Sequence, residues 1–505
     1  MNNYFSNFIQ LTSFKQISKP PLENLDKVKY KTFIKKSLQN IGFNVSQLKV
    51  EKSIDEIIHF QTKLNHIMTS SKDNDHEKLY NFKYLNGLQT NKINFKLFLS
   101  QTFQSIQDSD YVVFRNIAYF NEFEKLINTT SSSVINDILL WSSFLKIAPF
   151  YNKRQAYIWQ TYKKQKATYR YKNKVSCILI IEKIMPIAVS AAYLSELNIK
   201  KLDAFGYSVF NKLVNSTKLG ILKSKWINEY IKQKLFQHLN QTEYIDINSY
   251  YNNSKTLDNY YGKLFFTGRE NFIEFYYKTN QYYQKKFIYN FDHNIFDANY
   301  YHKKDYEVNA FYRILENLIK INFGISRFIY DKIDIRSIFY GSIGFIVGHE
   351  FAHAVHYFDN DRKIATENTT HYRAFNTEKL KREKCIVDQY SKHDVGGQKL
   401  DGKLTLIENI ADLAGIKYAY MAMELDIETT KLYHSLINFE SFTPEKMFFI
   451  SLAQNFCNSD SIELDESEHS PKSIRINGAT SNFDKFSTAF GCSASKKMNL
   501  TNKCE

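Results

Sequence analysis

The chain has 505 residues, 43% of them hydrophobic, enough to bury sizeable cores in roughly two to four domains or one large two-lobed body. Its net charge of +15 comes from lysines spread among Asn, Ile and Tyr rather than clustered in a binding motif, so a nucleic-acid binder is excluded and only a general attraction to acidic surfaces is left. No apolar run reaches about 18 residues, which excludes a membrane-spanning helix, and the opening MNNYFSNFIQLTSFKQISKPP lacks the basic flank and apolar run of a signal peptide.

Phe (41) and Tyr (36) are abundant while Pro (6) and Gly (16) are scarce, a balance that favours helix. Residues 1–250 read as successive amphipathic helices with polar breaks at 71–78 and 128–133. The polar, tyrosine-rich stretch 245–262 reads as a connection, and EVNAFYRI (307–314) as a short strand. GSIGFIVGHEFAHAVHYF (341–358) reads as a buried helix, apolar for most of its length and free of proline. GKLTLIENIADLAGIKYAYMAMEL (402–425) reads as a second helix, and the tail after Phe456 as loop-rich. No internal repeat is present.

The first of these two helices carries His349, Glu350 and His353. Residues four apart lie on one helix face, so the two imidazoles can share one Zn²⁺, with Glu350 placed to take a proton from a metal-bound water. The third ligand has two candidates. Glu408 and Asp412 are four apart amid apolar residues of the second helix, where a carboxylate needs a partner or a metal. Glu408 would then bind the metal and Asp412 would accept the other ring N–H of a ligand histidine, although ordinary salt bridges to Lys or Arg would serve the pair equally well. The rival is Asp359, the end of a His-Glu-x-x-His-x-x-His-x-x-Asp run in which His356 stands where a turn glycine is needed.

The ordered set VNAFY (308–312), GFIVGHEFAH (344–353), GGQKLDGKLTLIENIADLAGI (396–416), HSPKSIRING (469–478) and FSTAFGCSASKKMN (486–499) resembles the neprilysin family of zinc metallopeptidases, which includes endothelin-converting enzymes. MPIAVSAAYL (185–194) and KSKWINEYIKQK (223–234) resemble parts of its N-terminal domain. The resemblance implies a mainly α, two-lobed zincin of the gluzincin type, with a small β element beside the zinc helix and a central closed cavity that admits short peptides. It implies an N-terminal helical domain at 1–250, a connecting segment at 251–306 and a catalytic domain at 307–505. One zinc would be bound by His349, His353 and Glu408. Glu350 would be the general base, Asp412 the carboxylate behind a zinc histidine, and His469 the stabiliser of the oxyanion. Arg475 would anchor a substrate carbonyl and brace the site, while Asn309 and the Ala310 backbone would pair with an extended peptide. The resemblance settles the third ligand on Glu408. Asp359, six residues after His353, lies about 240° around an ideal helix and would need a break that no glycine supplies.

Departures from the family pattern are local. The stretch 317–335 lacks the prolines that shape the family's pocket, the segment after His353 is about two residues longer, and a tryptophan-rich segment is unmatched. The family pattern pairs Cys385 with Cys504, and it pairs Cys177, Cys457 and Cys492 with cysteines that have no counterpart here. From this the chain is expected to lack its natural beginning, with an intracellular short form carrying reduced thiols as the alternative. The resemblance implies an extracellular or cell-surface location, as a secreted or type II membrane glycoprotein whose anchor is absent from this sequence. Asn-x-Ser/Thr sequons such as those at Asn128 and Asn215 fit that location weakly. The expected function is hydrolysis of short peptides, with a catalytically silent binding or scaffold protein as the alternative.

Overall fold

The structure is a computed structural model that describes residues 9–11, 24–70, 81–84, 94–114, 117–164, 178, 181–182, 184–245, 254–293, 295, 305–314, 316–327, 335–358, 370–430, 441–457 and 468–504. The chain folds into two compact units, one of residues 1–185 and 259–298, the other of 186–258 and 299–505. Both are mainly helical. Among the described residues no helix is long and apolar enough to cross a membrane.

The first unit gathers the helices Asn24–Asn40, Leu48–Ser70, Ile117–Thr129, Ser132–Ile147, Lys153–Lys164 and Phe272–Asp292 around a core rich in aromatic residues, including Tyr30, Phe33, Phe123 and Trp141. The Trp141 indole donates to the buried Tyr30 hydroxyl, which donates to Gln61, so the polar tips within this core are satisfied. A three-stranded sheet (Ile9–Leu11, Tyr111–Phe114, Asn81–Tyr84) completes the unit. Asparagine serves the helices of both units as a cap. The side chains of Asn94, Asn198, Asn228 and Asn271 each accept an N–H of the first turn that would otherwise lack a partner, worth about 1 kcal/mol apiece.

The second unit carries the motifs. In chain order it contains α1 (Pro186–Leu194), α2 (Ile199–Lys223), α3 (Glu229–Asn240), β1 (Glu243–Tyr244), β2 (Ala310–Arg313), β3 (Leu318–Ile321), α4 (Arg336–Phe339) and α5 (Phe345–His356). Then follow α6 (Thr370–Tyr390), α7 (Leu406–Thr430), α8 (Pro444–Gln454), α9 (Lys472–Ser481) and α10 (Asp484–Phe490). The three strands form a small mixed sheet, with β3 central, β1 parallel to it and β2 antiparallel, Ala310 opposite Ile321 and Arg313 opposite Leu318. The core lies between α2, α5, α7, α8 and this sheet, centred on Phe210, Phe351, Ile416 and Phe448.

Two features differ from the sequence reading. The helix through 341–358 is not uniform, because a π-helical turn, Tyr340–Gly344, joins α4 to α5. A π turn loosens the regular backbone ladder. Here α8 supplies replacements: Ser451 donates its hydroxyl to the Ile338 carbonyl and Asn455 its amide to the Gly341 carbonyl. Gly341 permits this approach, since a Cβ there would lie 2.2 Å from the Phe448 carbonyl oxygen. The second difference is the tail, where α9 starts directly after Pro471 and α10 follows. Both are short, and their buried faces pack on α7 and α8, so local sequence pattern alone gives little sign of them.

Candidate metal centre

Helices α5 and α7 cross where Gly348 meets Gly415. A Cβ on Gly348 would lie 2.7 Å from the Gly415 carbonyl oxygen, and one on Gly415 would lie 2.7 Å from the His349 nitrogen. Only glycine lets two backbones come this close. On α7, Glu408, Asp412 and Gly415 are spaced i, i+4, i+7 and share the face turned toward α5. The crossing therefore brings the carboxylates to the histidines.

His349 Nε2 lies 3.1 Å from His353 Nε2 and 3.1 Å from Glu408 Oε2, and His353 Nε2 lies 3.7 Å from Glu408 Oε1. Among the described residues these three side chains form a cluster able to hold a metal ion. A tetrahedral zinc with ligands at about 2.0–2.1 Å spaces neighbouring donors about 3.3 Å apart, so this set fits that ion in size, and two imidazoles with one carboxylate fit it in chemistry. The electrostatics agree. Burial works against a charge on His349, but the carboxylates of Asp412 and Glu408 outweigh it and raise its pKa to about 10. Burial and the neighbouring His349 lower His353 to about 3. Burial opposes ionisation of Glu408 as well, yet its contacts with His349 and His469 hold it well below the usual carboxylate range. The ionised carboxylates thus favour a positive charge between the ligands.

Behind His349 stands Asp412, fully buried. Its Oδ1 is 2.9 Å from His349 Nδ1, and Arg475 on α9 donates to both its oxygens, each at 2.7 Å. Burial disfavours the Asp412 charge, but Arg475 and His349 keep its pKa low. A two-pronged contact of this kind fixes both position and charge. His353 has no such support: its buried Nδ1 finds no partner among the described residues. His356 stacks edge-on against Tyr357 at the end of α5, and Asp359 lies outside the described residues.

Glu350 follows His349 and is also buried. Its Oε2 accepts the backbone N–H of Tyr312 on β2 at 2.7 Å. Burial raises its pKa to about 7, against the pull of His349. In the register of β2 on β3, continued by Asn322 N–H to the Asn309 carbonyl, Ala310 and Tyr312 turn their backbone groups away from β3. The exposed Asn309 accepts the Ala310 N–H through its side chain at 3.0 Å. His469 is half exposed, with Nε2 3.0 Å from Glu408 Oε2. Cys385 and Cys504 are disulfide-bonded, tying α6 to the end of the chain; Cys457 and Cys492 are free, and Cys177 lies outside the described residues.

Sequence reading alone missed the Tyr312 amide, the Gly348–Gly415 contact, and the side chains of Asn409 and Ser470 beside the centre. A glycine inside each of two apolar helices was the available signal for the crossing.

Two models of peptidase family M13 match this chain, over residues 20–245 and 309–505. An endothelin-converting enzyme homolog of Locusta migratoria is 27% identical over 486 residues, covering 90% of this chain and 65% of its own length. Neprilysin-1 of Caenorhabditis elegans is 26% identical over 517 residues, covering 95% and 66%. The chain therefore spans just under two-thirds of these relatives. The crystal structure of the Mycobacterium tuberculosis zinc metalloprotease Zmp1 with an inhibitor superposes with a TM-score of 0.74 at 19% identity, over 98% of this chain and 76% of that one, a likeness of fold.

Proposed function

The chain belongs to peptidase family M13, and from that membership we propose that it is a zinc-dependent endopeptidase acting on short peptides. The observation that carries the proposal is the convergence of His349, His353 and Glu408 at zinc-ligand spacing, with Glu350 beside them. A zinc ion held by those three residues supplies Lewis-acid polarisation of the scissile carbonyl and makes a water molecule acidic near neutral pH.

The chain's own residues do the rest. Glu350, aimed by the Tyr312 N–H, takes the proton of the attacking water and delivers it to the leaving amine. Burial, which raises its pKa, favours the return of the proton to the carboxylate that this task needs. His469 hydrogen-bonds the carbonyl oxygen as negative charge develops there. Arg475 works mainly through Asp412, holding the carboxylate that orients His349, while its remaining N–H groups are available to a substrate carbonyl. An extended peptide adds alongside β2, held by the outward backbone carbonyls of Ala310 and Tyr312 and by the Asn309 side-chain amide. The intact donor set and base support activity over the silent-scaffold alternative. The Cys385–Cys504 bond supports an extracellular or cell-surface location, since disulfides persist in oxidising compartments.

The test is metal dependence. Purified protein should contain about one zinc per chain, lose cleavage of a short fluorogenic peptide on chelation, and regain it with stoichiometric zinc. Protein that binds no zinc, or that cleaves equally well after the metal is stripped, overturns the proposal.

A further inference from the structure

His469 is exposed to solvent on one side and sits on an irregular segment, yet the proposed reaction needs its imidazole fixed. What fixes it lies one residue along. The Ser470 hydroxyl, buried at 3% exposure, donates to Asn409 Oδ1 at 2.8 Å. Asn409, fully buried on α7 next to Glu408, donates its amide to the Thr405 hydroxyl at 3.0 Å, and Thr405 donates to the Asp401 carbonyl at 3.1 Å. These three hydrogen bonds all run in one direction, from the His469 segment to the main chain just before α7.

Buried polar chains are stable only when complete, and a complete one holds a single arrangement. An apolar side chain at 409 or 470 would fill the same space without specifying where residue 469 sits. We propose that Ser470 and Asn409 form a latch that positions His469 over the metal centre, making both of them positioning residues for the oxyanion-stabilising step. Asn409 carries the geometry of α7, and Ser470 transfers it to the neighbouring imidazole. The metal ligand Glu408 and the oxyanion donor His469 are in this way referenced to the same helix turn.

The inference rests on the proposed role of His469, and a double-mutant cycle separates the two. His469→Ala should lower kcat about 100-fold, the cost of removing one oxyanion donor. Ser470→Ala, which removes one oxygen from a serine, should lower kcat about 10-fold while KM stays within about threefold and zinc content stays at one per chain. Asn409→Ala cuts the latch from the helix side and should show the same split. In the His469→Ala background, Ser470→Ala should cost less than about twofold, because the latch has nothing left to position. A full tenfold loss in that background, a loss carried by KM or by zinc content, or wild-type kcat in Ser470→Ala overturns the latch while leaving the peptidase reading intact. Wild-type kcat in His469→Ala overturns the role of His469 itself, and the latch with it.

Discussion

Replacing Gly415 with alanine tests whether the helix crossing builds the metal centre. The new Cβ would lie 2.7 Å from the His349 nitrogen and 2.8 Å from its Cα. Ordinary contact begins near 3.4 Å, so α5 and α7 must separate by about 0.7 Å, and the obstructing atoms belong to a helix backbone that cannot rotate aside. Overpacking of this kind costs about 1–3 kcal/mol. The effect on the site is larger in proportion, because metal–ligand distances tolerate only about 0.2 Å of error. The separation acts directly on the His349–Asp412 and His349–Glu408 contacts, since all three residues share the facing surfaces. Zinc affinity, measured by competition with a chromophoric chelator, should fall about 10–100-fold, the range seen when a ligand's supporting contacts are lost. Gly220→Ala is the control. It crowds the same helix α7, but against the Tyr418 ring at 2.8 Å, and a side chain can shift. It should lower thermal stability without changing zinc affinity by more than about twofold. Unchanged affinity in Gly415→Ala, or an equal loss in both variants, would refute the argument that this contact sets the donor geometry.

Two further outcomes follow from the centre's electrostatics. Asp412→Asn keeps the side-chain shape but removes the charge that Arg475 and His349 share, so zinc affinity should drop about 10–100-fold by the same chelator competition. Metal-free His349, with its pKa raised to about 10, carries a proton at neutral pH that a metal must displace, whereas His353, lowered to about 3, carries none. At about pH 8.5 Glu350 is already ionised, so zinc binding should release the His349 proton and, from the acidified water, up to one more, measured by calorimetry in buffers of different ionisation enthalpy. The sign follows: apparent affinity should rise with pH up to about 10, and binding that releases no proton would contradict the pattern.

The sequence was most legible where function depends on local spacing. His349 and His353, four apart in an apolar helix, had to share a face, and Glu408 and Asp412 had to share another; the structure carries both pairs on α5 and α7. The strand at Ala310–Arg313 was visible for a similar reason, as a short mixed run between polar segments. What escaped was set by tertiary contact. The π turn at Tyr340–Gly344 depends on α8 offering Ser451 and Asn455 to displaced carbonyls. Helices α9 and α10 depend on the surface they bury against. The Tyr312 amide on Glu350 is a backbone group, which no residue pattern advertises. Asn409 and Ser470 look like ordinary polar residues until they are found buried and joined.

Glu350 is the residue on which the proposed chemistry depends most directly. Wild-type protein and the Glu350→Ala variant, each loaded with zinc and checked for metal content, should be compared for hydrolysis of one short peptide at neutral pH. The prediction is about one zinc in both proteins and a rate at least about 100-fold lower in the variant, the contribution expected of a positioned general base. Equal rates at equal zinc content would contradict the account.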